Sequence, residues 1–399
     1  RYDVRMRFSR FGERFTRQTG TRELMDDLGR ALAADEPVNL LGGGNPAHIP
    51  EMLALFRREF RRLLDDEREF RRMVADYADP AGEQGFRAAL ARLLRDACGW
   101  TVGPENIVLT AGSQSGFFQL FNLFAGPRSD GGYGRILLPL TPEYVGYQDL
   151  GVEGEIFTAR RPAIERLPGR QFKYHVDFAT LTVPQDVAAL CVSRPTNPTG
   201  NVLTDEEIGR LGALARGAGV PLILDGAYGL PFPGIVFTPA TPYRDEETIV
   251  CLSLSKLGLP GVRTGIVVAR PEVVEALGAM TATTSLAVGS VGPVLMRELV
   301  ASGAIAQVSE SVIRPYYERR SRQALEWLAD SLDGYEYCVH RPEGAFFLWL
   351  WLPGLPIGSA ELYRRLKARG TLVLSGHHFF PGLEEDWPHR HECLRISYA

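Results

Sequence analysis

Cysteine, long apolar runs and excess charge are all scarce in this chain, and each shortage excludes something. Its 399 residues hold five cysteines, Cys98, Cys191, Cys251, Cys338 and Cys393, an odd and widely scattered set lying mostly in apolar runs such as Ala188–Val192. That spacing offers no disulfide framework; it fits buried free thiols in a reducing compartment, and the expected location is the cytoplasm. No apolar stretch approaches bilayer-spanning length, and Arg1 to Arg10 alternate in charge instead of forming the apolar centre of a secretion signal. Lys and Arg number 44 against 48 Asp and Glu, so the net charge of -4 provides no broad attraction for nucleic acid or an anionic membrane. Repeats and low-complexity blocks are also missing. The expected partner is a small molecule.

What is present is enough for a large core, with 45% hydrophobic and 23% charged residues over a length that suits two or three lobes. Short runs rich in β-branched residues at Asn106–Thr110, Arg135–Leu140, Ala188–Ser193, Pro221–Asp225, Thr248–Ser253 and Thr264–Ala269 read as strands separated by helices or loops. This rhythm predicts an α/β fold with a mostly parallel sheet covered on both faces. A helix is expected from Asp205 to about Ala218, started by Thr204 with Glu207 three residues on. Beyond Gly289 the pattern changes to a long helix over Ser309–Leu332, strands around Tyr335–His340 and Ala345–Leu352, and a helix over Ser359–Arg369. The expected division is a large domain over 63–300 and a small α+β domain built from 1–62 and 301–399 together.

Five segments that follow strands carry candidate chemistry. Ser253-Leu254-Ser255-Lys256 precedes a Gly-Leu-Pro-Gly turn and Arg263, which places an amine beside hydroxyls and a guanidinium able to hold phosphate. Asp225 ends the run Pro-Leu-Ile-Leu at a sheet edge where ligands bind, although an aspartate there also suits capping of a following helix. Tyr228 comes three residues later. The prolines flanking Asn197 in Arg194-Pro195-Thr196-Asn197-Pro198 stiffen a turn that presents one amide. Gly112-Ser113-Gln114-Ser115-Gly116 opens an apolar helix, where free N–H groups can face an anion or glycine can simply serve a tight turn. Tyr144 follows the strand ending at Leu140 and can lie over an aromatic ring or pack in the core.

Two other features carry less. Gly42-Gly43-Gly44-Asn45-Pro46 lacks the strand-helix context of a dinucleotide fingerprint. His377, His378, His389 and His391 cluster without the cysteine or carboxylate spacing of a metal site, so no metal is expected.

In this order, the segments resemble the fold type I, class I/II aminotransferases that depend on pyridoxal 5'-phosphate (PLP). The resemblance runs from Phe11 to Tyr398 and is strongest, through Leu41-Gly-Gly-Gly-Asn-Pro-Ala47, Gly112-Ser-Gln-Ser115, Ser193-Arg-Pro-Thr-Asn-Pro-Thr-Gly200 and Ser253-Leu-Ser-Lys256, to the subgroup acting on valine-like donors and pyruvate. It implies a large domain with a seven-stranded, mostly parallel sheet and a smaller α+β domain. It makes Lys256 the Schiff-base lysine and proton shuttle, Asp225 the partner of the pyridine nitrogen, Asn197 and Tyr228 partners of the phenolic oxygen, and Tyr144 the ring-stacking residue. Ser113, Gln114, Ser253 and Arg263 would hold the phosphate, joined by Tyr77 reaching into a neighbouring subunit, which implies a homodimer with shared sites. Arg395 would grip the substrate carboxylate, with Gly43 approaching it through its backbone and Asn197 also counted among the substrate-binding residues.

The implied reaction moves the amino group of an apolar amino acid to a 2-oxo acid such as pyruvate. Elimination, replacement and carbon-carbon bond formation use the same scaffold and are the alternative. A PLP-sensing DNA-binding regulator would need an N-terminal domain, for which about forty residues before Gly42 leave little room. Gly226 and Val288 depart from the residues expected of the subgroup and bear on the side-chain pocket. Relatives continue with a helix beyond the Arg395 strand, so the ending at Ala399 is expected to reflect a trimmed C-terminus.

Overall fold

The computed structural model describes residues 6–17, 19, 22, 26, 29 and 38–399. Its main sheet has eight strands, seven of substance and the two-residue Gly126–Pro127. From one edge the order is Ile107–Thr110, Gly265–Val268, Thr248–Ser253, Leu222–Asp225, Val187–Ser193 and Tyr133–Leu138, with Phe157–Ala159 and Gly126–Pro127 both pairing the last of these. Every residue of Val187–Ser193, Leu222–Asp225 and Thr248–Ser253 is buried. Such continuous apolar runs are what a parallel sheet covered on both faces requires. Gly265–Val268 is antiparallel to both of its neighbours, which a sequence pattern does not disclose.

Register determines what reaches the sheet edge. Ser193 pairs with Asp225, and Asp225 with Cys251, while Gly265 pairs with both Ser253 and Thr110. The carboxyl ends of four strands, at Thr110, Ser193, Asp225 and Ser253, therefore share one edge. The helix expected after Thr204 spans Asp205–Gly217, and Thr204 and Glu207 make the reciprocal cap that their spacing predicts.

A second sheet of six strands runs in the order Leu374–Ser375, Cys393–Ser397, Phe347–Trp351, Cys338–His340, Gln171–Val176 and Pro162–Leu167. Its last two strands form a hairpin from the middle of the chain, and Gln171–Val176 pairs in parallel with Cys338–His340. The N-terminal segment meets the C-terminal one, since Asn39–Leu40 pairs with Thr371–Leu372 and the Ser397 amide donates to the Leu41 carbonyl at 2.7 Å. The expected long helix begins with a π-helical turn over Ser309–Ile313 and continues as Arg314–Ser331.

A buried ion pair within the second sheet reaches the segment that follows Val187–Ser193 of the first. Lys173, on the hairpin, bonds the Glu343 carboxylate and also donates to Asn201 Oδ1 at 2.7 Å and the Val202 carbonyl at 3.0 Å. Both side chains are almost wholly shielded from water. Cutting one partner of such a pair strands a charge in the interior, at a cost of about 3–5 kcal/mol. Glu343→Ala should accordingly lower the urea midpoint followed by circular dichroism, and an unchanged midpoint would show that the pair does not stabilise the fold.

Candidate active site

A cavity of about 710 Å³ opens at the shared strand edge, lined by Gly43, Ser113, Gln114, Tyr144, Asn197, Asp225, Tyr228, Ser253, Lys256, Arg263 and Arg395. Every candidate from the sequence except Tyr77 is thus in one place. Tyr77, 85% exposed, instead lines a second hollow of about 600 Å³ with Arg72, Glu83 and Arg297.

Lys256 stands just past the strand ending at Ser253, in a short 3-10 turn over Ser255–Leu257. Its amine donates to the Gly44 carbonyl at 2.7 Å and lies 5.4 Å and 5.6 Å from the Tyr228 and Phe346 ring centres. Burial disfavours the charged amine, Arg395 and Arg263 repel it, and Asp225 attracts it only in part, so its pKa falls to about 8.

Asp225 is held from two sides. Tyr147 donates its hydroxyl to Oδ2 at 2.6 Å, and the Ala227 amide donates to Oδ1 at 2.9 Å. Burial raises its pKa, against the pull of those two bonds and of Lys256. The Ala227 bond ties the carboxylate to its own turn, and a short turn rather than a helix follows, so the capping alternative does not apply.

Opposite, Ser113 and Gln114 begin the helix Ser113–Phe124, whose first-turn N–H groups point out of the helix. Gly112 precedes it at φ +87°, and a Cβ there would lie 2.1 Å from a terminal nitrogen of Arg263. Only glycine allows the guanidinium to rest against the helix start. Arg263 itself adopts a left-handed backbone at φ +46°, a conformation that costs a non-glycine residue energy and aims this side chain. Ser253 Oγ accepts from the Ser255 amide at 3.1 Å, and Gln114 donates its amide to the Gly146 carbonyl at 2.7 Å, tying the helix start to the Tyr144 loop. A cation, a serine and a helix N-terminus facing one space suit a multiply charged oxyanion.

Arg395 completes the cavity. It donates to Asn197 Oδ1 at 2.8 Å and to the Gly42 carbonyl at 2.6 Å, and its guanidinium sits 4.2 Å from the Phe347 ring centre and 5.4 Å from that of Phe379. Burial lowers its pKa to about 10. The buried Nε has no hydrogen-bond partner. An unpaired interior donor beside a cavity is one that a ligand oxygen can satisfy.

Four contributors escape the sequence reading. Tyr147 shares its segment with Tyr144, and its spacing alone does not show that it reaches Asp225, 78 positions away. Phe346 and Phe347 read as ordinary strand hydrophobics, yet their rings lie against Lys256 and Arg395, just after Ala345 at φ +57°. Glu143 is a fully buried carboxyl inside an apolar run, which is itself the signal that composition provides.

Elsewhere, His377 lies against His378 with ring centres 3.9 Å apart and planes tilted by 37°, while His389 contacts the Tyr174 hydroxyl. No three His, Cys, Asp or Glu among the described residues are grouped to hold a metal ion. Cys191, Cys251 and Cys393 are buried free thiols, whereas Cys98 and Cys338 are only partly covered. No helix among the described residues is long and apolar enough to cross a membrane.

Comparison with known proteins agrees with this geometry. The chain is 48% identical over 394 residues to valine–pyruvate aminotransferase of Escherichia coli strain K12, covering 99% of this chain and 94% of that protein. A crystal structure of a putative amino-acid aminotransferase from Psychrobacter arcticum superposes with a TM-score of 0.96 at 45% identity, covering 99% of this chain and 94% of the other. The valine-pyruvate aminotransferase AvtA of Salmonella typhimurium superposes with a TM-score of 0.87 at 46% identity, covering 95% and 94%. The model of the aminotransferase class I and II family matches residues 52–399, and the chain belongs to that family.

Proposed function

We propose that this aminotransferase binds pyridoxal phosphate through Lys256 and passes the amino group of a valine- or alanine-like amino acid to pyruvate or a similar 2-oxo acid. The observation that carries the proposal is a half-buried, partly neutral amine sharing one cavity with a carboxyl group, a cradle for phosphate and a buried arginine that has a free donor. The relatives named for valine and pyruvate support the choice of substrates.

The residues present fit the cofactor. Ser113, Gln114, Ser253 and Arg263 would hold its phosphate, Tyr144 would stack on its ring, and Asn197 and Tyr228 would meet its phenolic oxygen. Bound there, pyridoxal phosphate supplies a carbonyl for covalent attachment and a ring that accepts the electrons released at Cα. Asp225, whose rise in pKa on burial is opposed by Tyr147, the Ala227 amide and Lys256, would face the ring nitrogen and hold a proton there. Lys256, once freed by the incoming amine, would take the Cα proton and return it on the cofactor side. Arg395 would bind the α-carboxylate through its planar fork, with the Gly43 backbone alongside.

An apolar side chain suits what remains of the lining. Lys256, Arg263 and Arg395 already have tasks, and among the described residues the only further cation candidate is His48, at the exposed rim. Leu40, Pro46, Ala47 and Val145 provide the apolar surface. For assembly we propose a homodimer in which Tyr77 serves the partner's site; its exposure beside Phe70 and Val74 supports this. Five free cysteines support a reducing compartment such as the cytoplasm.

Three outcomes follow. Lys256→Ala should abolish both amino transfer and the borohydride-trappable cofactor adduct, and a variant that turned over normally would sink the proposal. Attachment of pyridoxal phosphate to the apoenzyme needs the neutral amine, which burial makes available above about pH 8. Stopped-flow absorbance should therefore show the rate rising about tenfold per pH unit below that value and levelling above it; a rate still climbing toward the ordinary lysine pKa would contradict the shift. Arg395→Lys keeps the charge but loses the fork and should cut kcat/KM for valine by on the order of a hundredfold while leaving cofactor absorbance intact.

A further inference from the structure

Glu143 is a carboxyl that the proposed chemistry does not use, although it stands one residue from Tyr144 and has no exposed surface. Its amide donates to the Phe379 carbonyl at 2.8 Å, which fixes its loop against the segment carrying Phe379. Its side chain turns the other way, toward the end of the neighbouring strand. Oε1 accepts from the Ser193 amide at 2.8 Å, and Oε2 lies 2.6 Å from Ser193 Oγ and 3.3 Å from the Tyr144 amide. Ser193 in turn begins the turn that carries Asn197, with its carbonyl accepting from Thr196 Oγ1 at 3.0 Å, and it is registered beside Asp225.

The carboxyl thus sits where three parts of the site meet: the Tyr144 loop, the Asn197 turn and the strand end next to Asp225. A burial this complete is costly for a carboxyl unless its bonds are worth more than an apolar side chain would be. Phe, Leu or Met could fill the space but could not pair with the Ser193 amide, which would otherwise be an unpaired buried donor. Burial, with a smaller contribution from Asp225, pushes the carboxyl's pKa up to about 8, so at neutral pH it is mainly the protonated form that bridges. The other titratable groups facing it are Asp225, Tyr147 and Cys191, none of them a cation.

We infer that Glu143 is a positioning residue, which fixes the spacing between the Tyr144 ring and the Asn197 amide by bridging their segments through Ser193. The inference rests on the proposed roles of those two residues. It says that Glu143 acts through shape and hydrogen bonding rather than as a negative charge. Glutamine, which is neutral and equally long, should then replace it, whereas alanine should not.

The test is to prepare wild-type, Glu143→Gln, Glu143→Ala and Ser193→Ala chains as apoenzymes and load each with pyridoxal phosphate. Cofactor affinity is read by equilibrium titration, ring orientation by circular dichroism in the cofactor's visible band, and folding by thermal melting. Glu143→Ala should bind the cofactor about tenfold more weakly or worse, with a reduced visible signal, while Glu143→Gln stays within about threefold of wild type with its signal retained. Ser193→Ala, which keeps the amide bond but loses the hydroxyl, should fall between them. Wild-type affinity and visible signal in Glu143→Ala would overturn the inference. So would a Glu143→Gln variant as damaged as Glu143→Ala, since the group would then act by charge. If Glu143→Ala fails to fold, Ser193→Ala decides, and an unchanged visible signal there overturns the inference. Failure of the wild-type chain to take up cofactor would instead refute the proposed function.

Discussion

Register across three parallel strands is the constraint on which the site depends. Ser193, Asp225 and Cys251 stand side by side because Val187–Ser193, Leu222–Asp225 and Thr248–Ser253 pair with one alignment. A slip of one residue would turn Asp225 to the opposite face and replace it with a leucine or glycine. Such a slip is strongly opposed, since every side chain in these strands is buried and each has a fitted place on its own face of the sheet. The core therefore does more than stabilise the fold. It sets the positions of Asp225 and, through the ends of adjacent strands, of Ser193, Asn197 and Lys256.

The charges placed at that edge are unequal. Lys256, Arg263 and Arg395 are three cations facing the cavity, with Asp225 the one acidic side chain lining it among the described residues. Glu143 stands behind the wall and is held mainly neutral by burial. An excess of positive charge lining one cavity attracts anions, and it suits a ligand pair carrying a phosphate and a carboxylate. The same imbalance brings the lysine amine down toward neutrality, because Arg395 and Arg263 add to the effect of burial. Anion binding and amine reactivity thus come from one arrangement. Removing Arg395 would be expected to alter both.

Much of this was legible in the sequence, for definite physical reasons. Buried parallel strands read as unbroken apolar runs, and the residue after such a run stands at the ligand-binding edge, which is why Asp225, Asn197, Ser113 and Lys256 could be selected without coordinates. The Thr204 cap was legible because it depends only on residues three apart. The hairpin Pro162–Val176 was not, since its polar, irregular strands acquire their place by pairing with Cys338–His340, far along the chain. The direction of Gly265–Val268 was hidden for a similar reason: side-chain pattern reports burial, not polarity of pairing. Tyr147 and Glu143 were hidden because their partners, Asp225 and Ser193, come close only when the sheet forms.

The Gly42-Gly43-Gly44 run shows the limit and the reach of such reading together. As a sequence it invites comparison with nucleotide-binding loops, but its context excludes that, and the structure gives a different reason for small residues. At Gly42 a Cβ would lie 3.0 Å from the Val373 carbonyl, so a side chain would press the segment off its neighbour and disturb the carbonyl that Arg395 holds. At Gly43 and Gly44 a Cβ would meet nothing closer than 3.9 Å. Folding does not demand glycine at those two positions. What they preserve is open space beside Lys256 and Arg395, in the part of the cavity where a substrate would stand between amine and guanidinium. A side chain there would be tolerated by the fold and would be felt first by the substrate.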